Sequence, residues 1–170
     1  AFSGTDEELK YARDILAERI ADDANVRGLV RRMFATKGVL KSEVASPRPA
    51  EPTKFEQYYD FSEPIATIPS HRYLAIRRGQ KEGVLWVRLE VDKTQAVEDI
   101  LDALEMPEAS ENAEQVRLAA EDAYKRLLAP SCEIDVTVEK KLEADRAAVE
   151  VFADNLRNLL LASPLGERSV

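Results

Sequence analysis

At 170 residues and 45% apolar content, the chain is long enough to bury a sizeable core, as one domain or two small ones. Its 24 Lys and Arg stand against 32 Asp and Glu, and a net charge of −8 repels a phosphate backbone unless the positive charges gather on one face. A single cysteine, Cys132, excludes an internal disulfide and a cysteine-built zinc or iron–sulfur site; with no basic leader before an apolar core and no apolar run near the roughly 18 residues of a membrane span, the composition points to a soluble, cytoplasmic protein.

The chain opens on Thr5 three residues before Glu8, the spacing of a capping box, so a helix is expected to start there. Leu9, Ala12, Leu16 and Ile20 give it one apolar face, and Asp22, Asp23 and Asn25 interrupt it with cap and turn formers. Val26, Leu29, Val30, Met33 and Phe34 resume the helical period up to Gly38, which suits a left-handed C-cap after Lys37. Pro47, Pro49 and Pro52 make 46–53 a loop, after which Phe55, Tyr58, Tyr59 and Phe61 are expected to anchor a short helical turn on the core.

Pro64 and Pro69 bracket an irregular stretch, and Ser70 is placed to cap a short helix carrying Tyr73, Leu74 and Ile76 as far as Gly79. In residues 84–91, VLWVRLEV, Leu85, Val87, Leu89 and Val91 alternate with Val84, Trp86, Arg88 and Glu90, a strand pattern. Its partner is not announced; the weak candidate is 132–138, where Ile134, Val136 and Val138 alternate, although Pro130 favours a loop running into a helix.

Asp92 and Gln95 repeat the capping-box spacing ahead of Val97, Ile100, Leu101 and Leu104, with Pro107 as the stop. Asn112 and Gln115 open the next helix, whose face is Val116, Ala119, Ala123 and Leu127 and whose stop is Pro130. A last long helix carries Val138, Leu142, Val149, Phe152, Leu156 and Leu159 and ends at Pro164 and Gly166. Some 25 residues at about 1.5 Å each span roughly 38 Å, the length of a strut between domains. The expected class is therefore mainly α: a multi-helical core with a minor β element near 84–91 and a long C-terminal helix.

The segment FEQYYDFSEPIATIPSHRYLAIRRGQKEGVLWVRLEVD, residues 55–92, closely resembles the Tex family of RNA-binding transcriptional accessory proteins. ARDILAERIADD, residues 12–23, is similar to the opening of that family's helical core, and VFADNLRNLLLASPLGERSV, residues 151–170, to its approach to the ribonuclease-H-like YqgF domain. Gln80 departs from the acidic residue many members carry in RGQKEG. The resemblance implies a helical core region preceding a YqgF-like domain. Residues 1–45 are its N-terminal helical segment and 46–69 a proline- and aromatic-rich connection; 70–162 hold the PSHR segment, strand and helical core, and 163–170 a truncated link. It implies YqgF-like, helix-hairpin-helix and S1 domains in the parent but absent from this chain, and RNA or DNA and the transcription machinery as the parent's partners. No catalytic residue and no cofactor is carried over.

Charge is locally uneven. Residues 70–88 hold Arg72, Arg77, Arg78, Lys81 and Arg88 against Glu82 alone, and 27–41 hold Arg27, Arg31, Arg32, Lys37 and Lys41 with no acid. Either set suits phosphate contact; Arg72, Arg77, Arg78 and Lys81, with Arg88 beside them, are the preferred nucleic-acid surface. Pairing with acidic helices or a neighbouring domain is the competing reading.

Pro69, Ser70, His71 and Arg72 form a structural motif in which His71, lacking an aligned partner for catalysis, ties the turn to the preceding aromatic segment. Trp86 is read as packing in the core or at a domain interface, Cys132 as a passive small residue, and Glu139 with Glu143 as a solvent-facing pair rather than a metal site. A non-catalytic scaffold is the functional expectation. The alternative, a metal-dependent nuclease or hydrolase related to the ribonuclease-H-like fold, needs acids gathered on a strand-rich sheet. The scaffold reading expects exposed apolar positions at Phe152, Leu156, Leu159 and Leu160.

Overall fold

The computed structural model describes residues 3–46, 49–51, 53–105 and 112–162, with side chains from residue 7 onward. Helices α1 (Ser3–Asp22) and α2 (Ala24–Lys37) are divided at Asp23, whose carboxylate accepts from the N–H groups of Asn25 and Val26 at 2.8 and 3.0 Å. These bonds satisfy two donors that the first turn of a helix leaves free. Because α1 is already helical at Ser3, Thr5 lies inside it and not at its cap. Its core contribution is Leu16, Ala17, Ile20 and Ala21, whereas Leu9 and Ala12 of the expected face are exposed. Periodicity sets which residues share a face, while a neighbouring element decides how much of that face is covered.

Gly38 ends α2 with φ −63° and ψ 136°, an extended conformation in place of the expected left-handed cap. The chain turns directly into strand β1 (Val39–Val44), and a Cβ on Gly38 would collide with the Phe34 carbonyl oxygen and press on Leu89 at 3.0 Å. Close approach, not a positive φ, requires glycine here.

Strands β1, β2 (Asp60–Pro64) and β3 (Leu85–Glu90) form an antiparallel sheet in the order β2-β1-β3. Leu40 faces Leu89, and Ser42 faces Val87 on one side and Phe61 on the other. The partner of the strand at 84–91 is thus 39–44. Residues 132–138 lie within a helix, where Cys132 and Val136 are buried four apart. Strand β1 is hard to read from its composition, because its inward position 42 is a serine; that hydroxyl donates to the Tyr58 carbonyl at 2.7 Å and so tolerates full burial. The rings reach the core as expected, though not all from a turn: a 3-10 turn at Glu56–Tyr58 buries Phe55 and Tyr58, whereas Phe61 lies in β2 and meets Tyr58 edge to face at 5.4 Å.

Helix α3 (Ser70–Lys81) is capped at Pro69, so Ser70 is its first helical residue, and it runs two residues past Gly79. Gly83, at φ +73°, supplies the left-handed turn into β3. Helix α4 (Lys93–Ala103) has the expected cap, Asp92 accepting from the Gln95 N–H at 3.0 Å, and buries Ala96, Val97 and Ile100. The expected stop at Pro107 lies outside the described residues.

Helix α5 (Ala113–Asp122) does not stop at Pro130. It continues through a π-helical turn (Ala123–Leu128) into α6 (Ala129–Leu161), with Pro130 in the first turn of α6. The Ala129 N–H reaches back five residues to the Tyr124 carbonyl. The wider turn just ahead of the ring replaces the α-helical ladder that proline cannot join, so the helix passes through. Helix α6 is about 50 Å long; its expected end at Pro164 and Gly166 is outside the described residues. Helices α2 and α3 pack on its N-terminal half, where the Tyr73 hydroxyl donates to the Thr137 carbonyl at 2.7 Å.

Gly38→Ala should lower stability by about 1–3 kcal/mol, because backbone and not a flexible side-chain end blocks the new methyl. A reduced urea midpoint at unchanged slope is the expected reading; an unchanged midpoint would show that the corner relaxes freely.

Candidate nucleic-acid interface

The structure separates the five basic residues singled out between 72 and 88. Arg72, on α3, reaches the β2 edge, where it pairs with Glu63 at 2.6 Å and lies 6.0 Å from the Phe61 ring centre. Arg88 lies on the solvent side of the sheet, between Glu90 at 2.6 Å and Glu43 at 3.2 Å, and over the Trp86 ring at 5.0 Å. Arg77 donates to Gln80 at 2.6 Å. Of these five, Arg78 and Lys81 are the two that are exposed without an ion pair or hydrogen bond among the described residues.

Residues 78 and 81 are three apart on α3 and share a ridge with His71, seven residues before Arg78. Lys54 approaches the same helix end, pairing with Glu82 at 3.0 Å over the Phe55 ring. Sequence reading missed Lys54, since only the fold brings it to the end of α3. His71 is exposed and makes no hydrogen bond among the described residues, so it does not tie the turn to the aromatic segment; Arg72, bonded to Glu63 and packed on Phe61, makes that connection. A guanidinium on a long stem spans a gap that an imidazole does not.

The second basic set is largely consumed internally. Arg27 reaches Ser131 at 2.6 Å and Asp135 at 3.7 Å, Arg31 pairs with Glu139 at 2.8 Å, and Lys41 pairs with Glu90 at 2.6 Å. Arg27 and Arg31, one helical turn apart, clip α2 to α6. Arg32 and Lys37 are exposed.

Trp86 is 54% exposed, contrary to core placement: its strand face looks outward, and no helix covers it among the described residues. Cys132 is fully buried, and burial pushes its thiol up, opposite to the lowering expected of a reactive cysteine at a helix N-terminus. Glu139 and Glu143 are exposed on α6. Among the described residues no group of three or more His, Cys, Asp or Glu is placed to hold a metal, and the sheet acids Glu43 and Glu90 are occupied by Arg88 and Lys41. The interior is filled by helix faces and the inner side of a three-stranded sheet, which leaves the hydrolase alternative without its scaffold in these residues.

Beyond Ala144, its last buried residue, α6 projects with Phe152 68% and Leu159 75% exposed, and Val149, Val151, Leu156, Leu160 and Leu161 also exposed. This is the apolar surface the scaffold reading expects. Among the described residues no helix is long and apolar enough to cross a membrane.

A helical core around a small antiparallel sheet, with one helix extended as an apolar arm and a few free cations on its surface, defines a structural and interaction region. Residues 1–152 match the family model described as Tex central region-like, and the chain belongs to that family. It is 36% identical over 172 residues to Protein YhgF of Escherichia coli (strain K12), covering 95% of this chain and 22% of that protein. It is 33% identical over 163 residues to the Transcriptional accessory protein Tex of Neisseria gonorrhoeae, covering 93% and 22%. To S1 RNA-binding domain-containing protein 1 of Homo sapiens it is 28% identical over 168 residues, covering 92% and 17%. The chain spans about a fifth of the length of the curated relatives it matches.

Two outcomes follow for the charged network. Arg72→Ala should cost about 1 kcal/mol, through loss of a partly shielded ion pair and its ring contact, and a urea midpoint equal to that of the unsubstituted protein would show the pair to be idle. The hydrogen bond from Lys41, and then the charges of Arg88 and Lys41, hold Glu90 below the usual glutamate range. A depressed folded value means that this stabilisation is complete above the ordinary range and is lost as pH falls through the depressed value. Urea midpoints followed from neutral pH downward should fall less steeply in Glu90→Gln; parallel curves would remove Glu90 from the acid response.

Proposed function

We propose that this chain is a non-catalytic scaffold region of a nucleic-acid-binding, specifically RNA-binding, transcription accessory protein, and that it positions adjacent domains through α6. The observation that carries this reading is the apolar arm of α6 beyond Ala144: water-exposed Phe152, Leu156, Leu159 and Leu160 are a cost unless another surface covers them. The printed names of the relatives, a transcriptional accessory protein and an S1 RNA-binding protein, support the context. Within it, 1–45, 46–69 and 70–162 are the segments of the scaffold, and 163–170 are the link toward a YqgF-like domain. Helix-hairpin-helix and S1 domains of the longer protein are the main nucleic-acid readers, the transcription machinery is the further partner, and the cytoplasm is the compartment.

Direct phosphate contact by this region falls to Arg78 and Lys81, with His71 and Lys54 at the margins of the same ridge. Arg78 and Lys81 make no ion pair among the described residues, whereas Arg72 and Arg88 are paired with acids and Lys54 with Glu82. The contact is weak and sequence-independent, because a net −8 opposes it and no base-reading element lies beside the ridge.

Single-stranded RNA and duplex DNA titrated against this chain and a longer Tex-family protein test the assignment. Arg78→Ala with Lys81→Ala should weaken binding and make the salt dependence shallower by about 2 in log–log slope, while Arg72→Ala leaves that slope alone. Unchanged binding after the double substitution would give all recognition to the other domains. For the arm, Leu156→Asp and Leu159→Asp should each shift the stability of this chain by no more than about 0.5 kcal/mol but destabilise the longer protein by about 2 kcal/mol or more. Equal effects in both proteins would mean that the arm covers no neighbour.

A further inference from the structure

The exposed apolar side chains of α6 fall in a narrow row with a seven-residue repeat. Val138, Leu142, Val149, Phe152, Leu156 and Leu159 are all exposed, and with Asp145 counted among them their spacing alternates strictly between four and three residues. The row opens across the helix from the core: Val138 and Leu142 stand two residues, about 200° around the axis, from the buried Val136 and Ala144. A mean step of about 3.5 residues holds a seam against a second helix, where the 3.6 of a free α-helix would let it drift away. The repeat is sustained over roughly 32 Å of helix.

The row is too narrow for a sheet or a broad surface, which would need a wider apolar stripe. Glu150, Asp154 and Arg157 lie outside it, the last two paired with each other at 3.0 Å. Leu160 borders the row, whereas Val151 and Leu161 lie on the opposite side of the helix. Ala148 and Ala153 beside the row are small, so a neighbouring backbone can come close.

Asp145 is the one charge inside the row. Its Oδ2 accepts from Lys141 at 2.5 Å, both side chains being half-exposed, and its Oδ1 has no partner among the described residues. A helix laid over the row takes water from that carboxylate, which then needs a second donor on Oδ1. A second copy of this chain does not supply one. A parallel pair sets Asp145 against Asp145, and antiparallel pairs along the same seam set it against Val149 or Leu156.

We propose that this row receives an amphipathic helix from an adjacent domain of the longer protein, one with its own four-three apolar seam and a lysine or arginine in the layer of Asp145. The cation donates to Oδ1 while Lys141 stays on Oδ2. The inference rests on the reading of α6 as the surface that positions adjacent domains, and names what lies against it.

The test is a cysteine scan read by alkylation with iodoacetamide and peptide mass spectrometry, in this chain and in a longer Tex-family protein carrying it. Val149→Cys, Phe152→Cys, Leu156→Cys and Leu159→Cys should each react at least about tenfold more slowly in the longer protein, while Glu150→Cys, Asp154→Cys and Arg157→Cys react alike in both. Slowing at all seven positions would keep the scaffold reading and sink the helix, and slowing at none would sink both. Slowing that grows with protein concentration would assign the row to a second copy and so overturn the proposal. For the charged layer, Asp145→Leu should lower the urea midpoint of the longer protein, because it leaves the partner's cation buried and unpaired, and leave that of this chain nearly unchanged. A raised midpoint in the longer protein would mean that no cation faces Asp145. Should a cysteine on the row keep the longer protein from folding, the other positions and Asp145→Leu still decide.

Discussion

The rest of the structure depends on a helix that crosses a proline without breaking. The π turn at Ala123–Leu128 lets the Ala129 N–H find a carbonyl five residues back, so α5 and α6 run on through Pro130. Had the chain turned there, Cys132, Val136 and Ala144 would not lie on one helix with Ala123 and Leu128, and the core would lose its spine. Helix α2 is clipped to that spine by Arg27 and Arg31, α3 by Tyr73 and the Thr137 carbonyl, and β3 by Glu133 and the Leu89 N–H. Each attachment lies between residues 131 and 139, so the second half of α6 is free to project.

That division of α6 gives the region two kinds of surface. Up to Ala144 the helix is an organising core element, and beyond it the same helix displays apolar side chains to solvent. Such a display is tolerated when the exposed face is a contact surface for something else. The charged side chains point in the same direction: Arg27, Arg31, Arg72, Arg88 and Arg117 tie one element to another, while Arg78 and Lys81 on α3 are exposed without an ion pair or hydrogen bond among the described residues. Local charge counting could not tell these uses apart, because the neutralising acids Glu63, Glu43 and Glu139 come from other elements.

The periodicities of α2, α4 and α5, the alternation of β3, the burial of Phe55 and Tyr58, and the caps at Asp23 and Asp92 all follow from local chemistry and were legible in the linear chain. So was the solvent-facing apolar arm, because a helix longer than its own core must leave part of its stripe uncovered. These features depend on residues within a turn or two of one another, or on one side-chain period.

What the linear chain left open depends on residues far apart. Strand β1 hides behind a buried serine whose partner is sixteen residues away, and the π turn that carries the helix past Pro130 is visible only once its bonds are drawn. The exposure of Trp86, the pairing of Arg72 with Glu63 and the isolation of Arg78 were decided by which faces the sheet and α3 turn to solvent. Sequence by itself determined the helical character and the apolar stripes, since each is written in local spacing, and it carried the family through a resemblance that runs over nearly the whole chain. Only the tertiary structure decided which charges are cancelled and where the spine ends, because those depend on long-range neighbours that spacing along the chain does not specify.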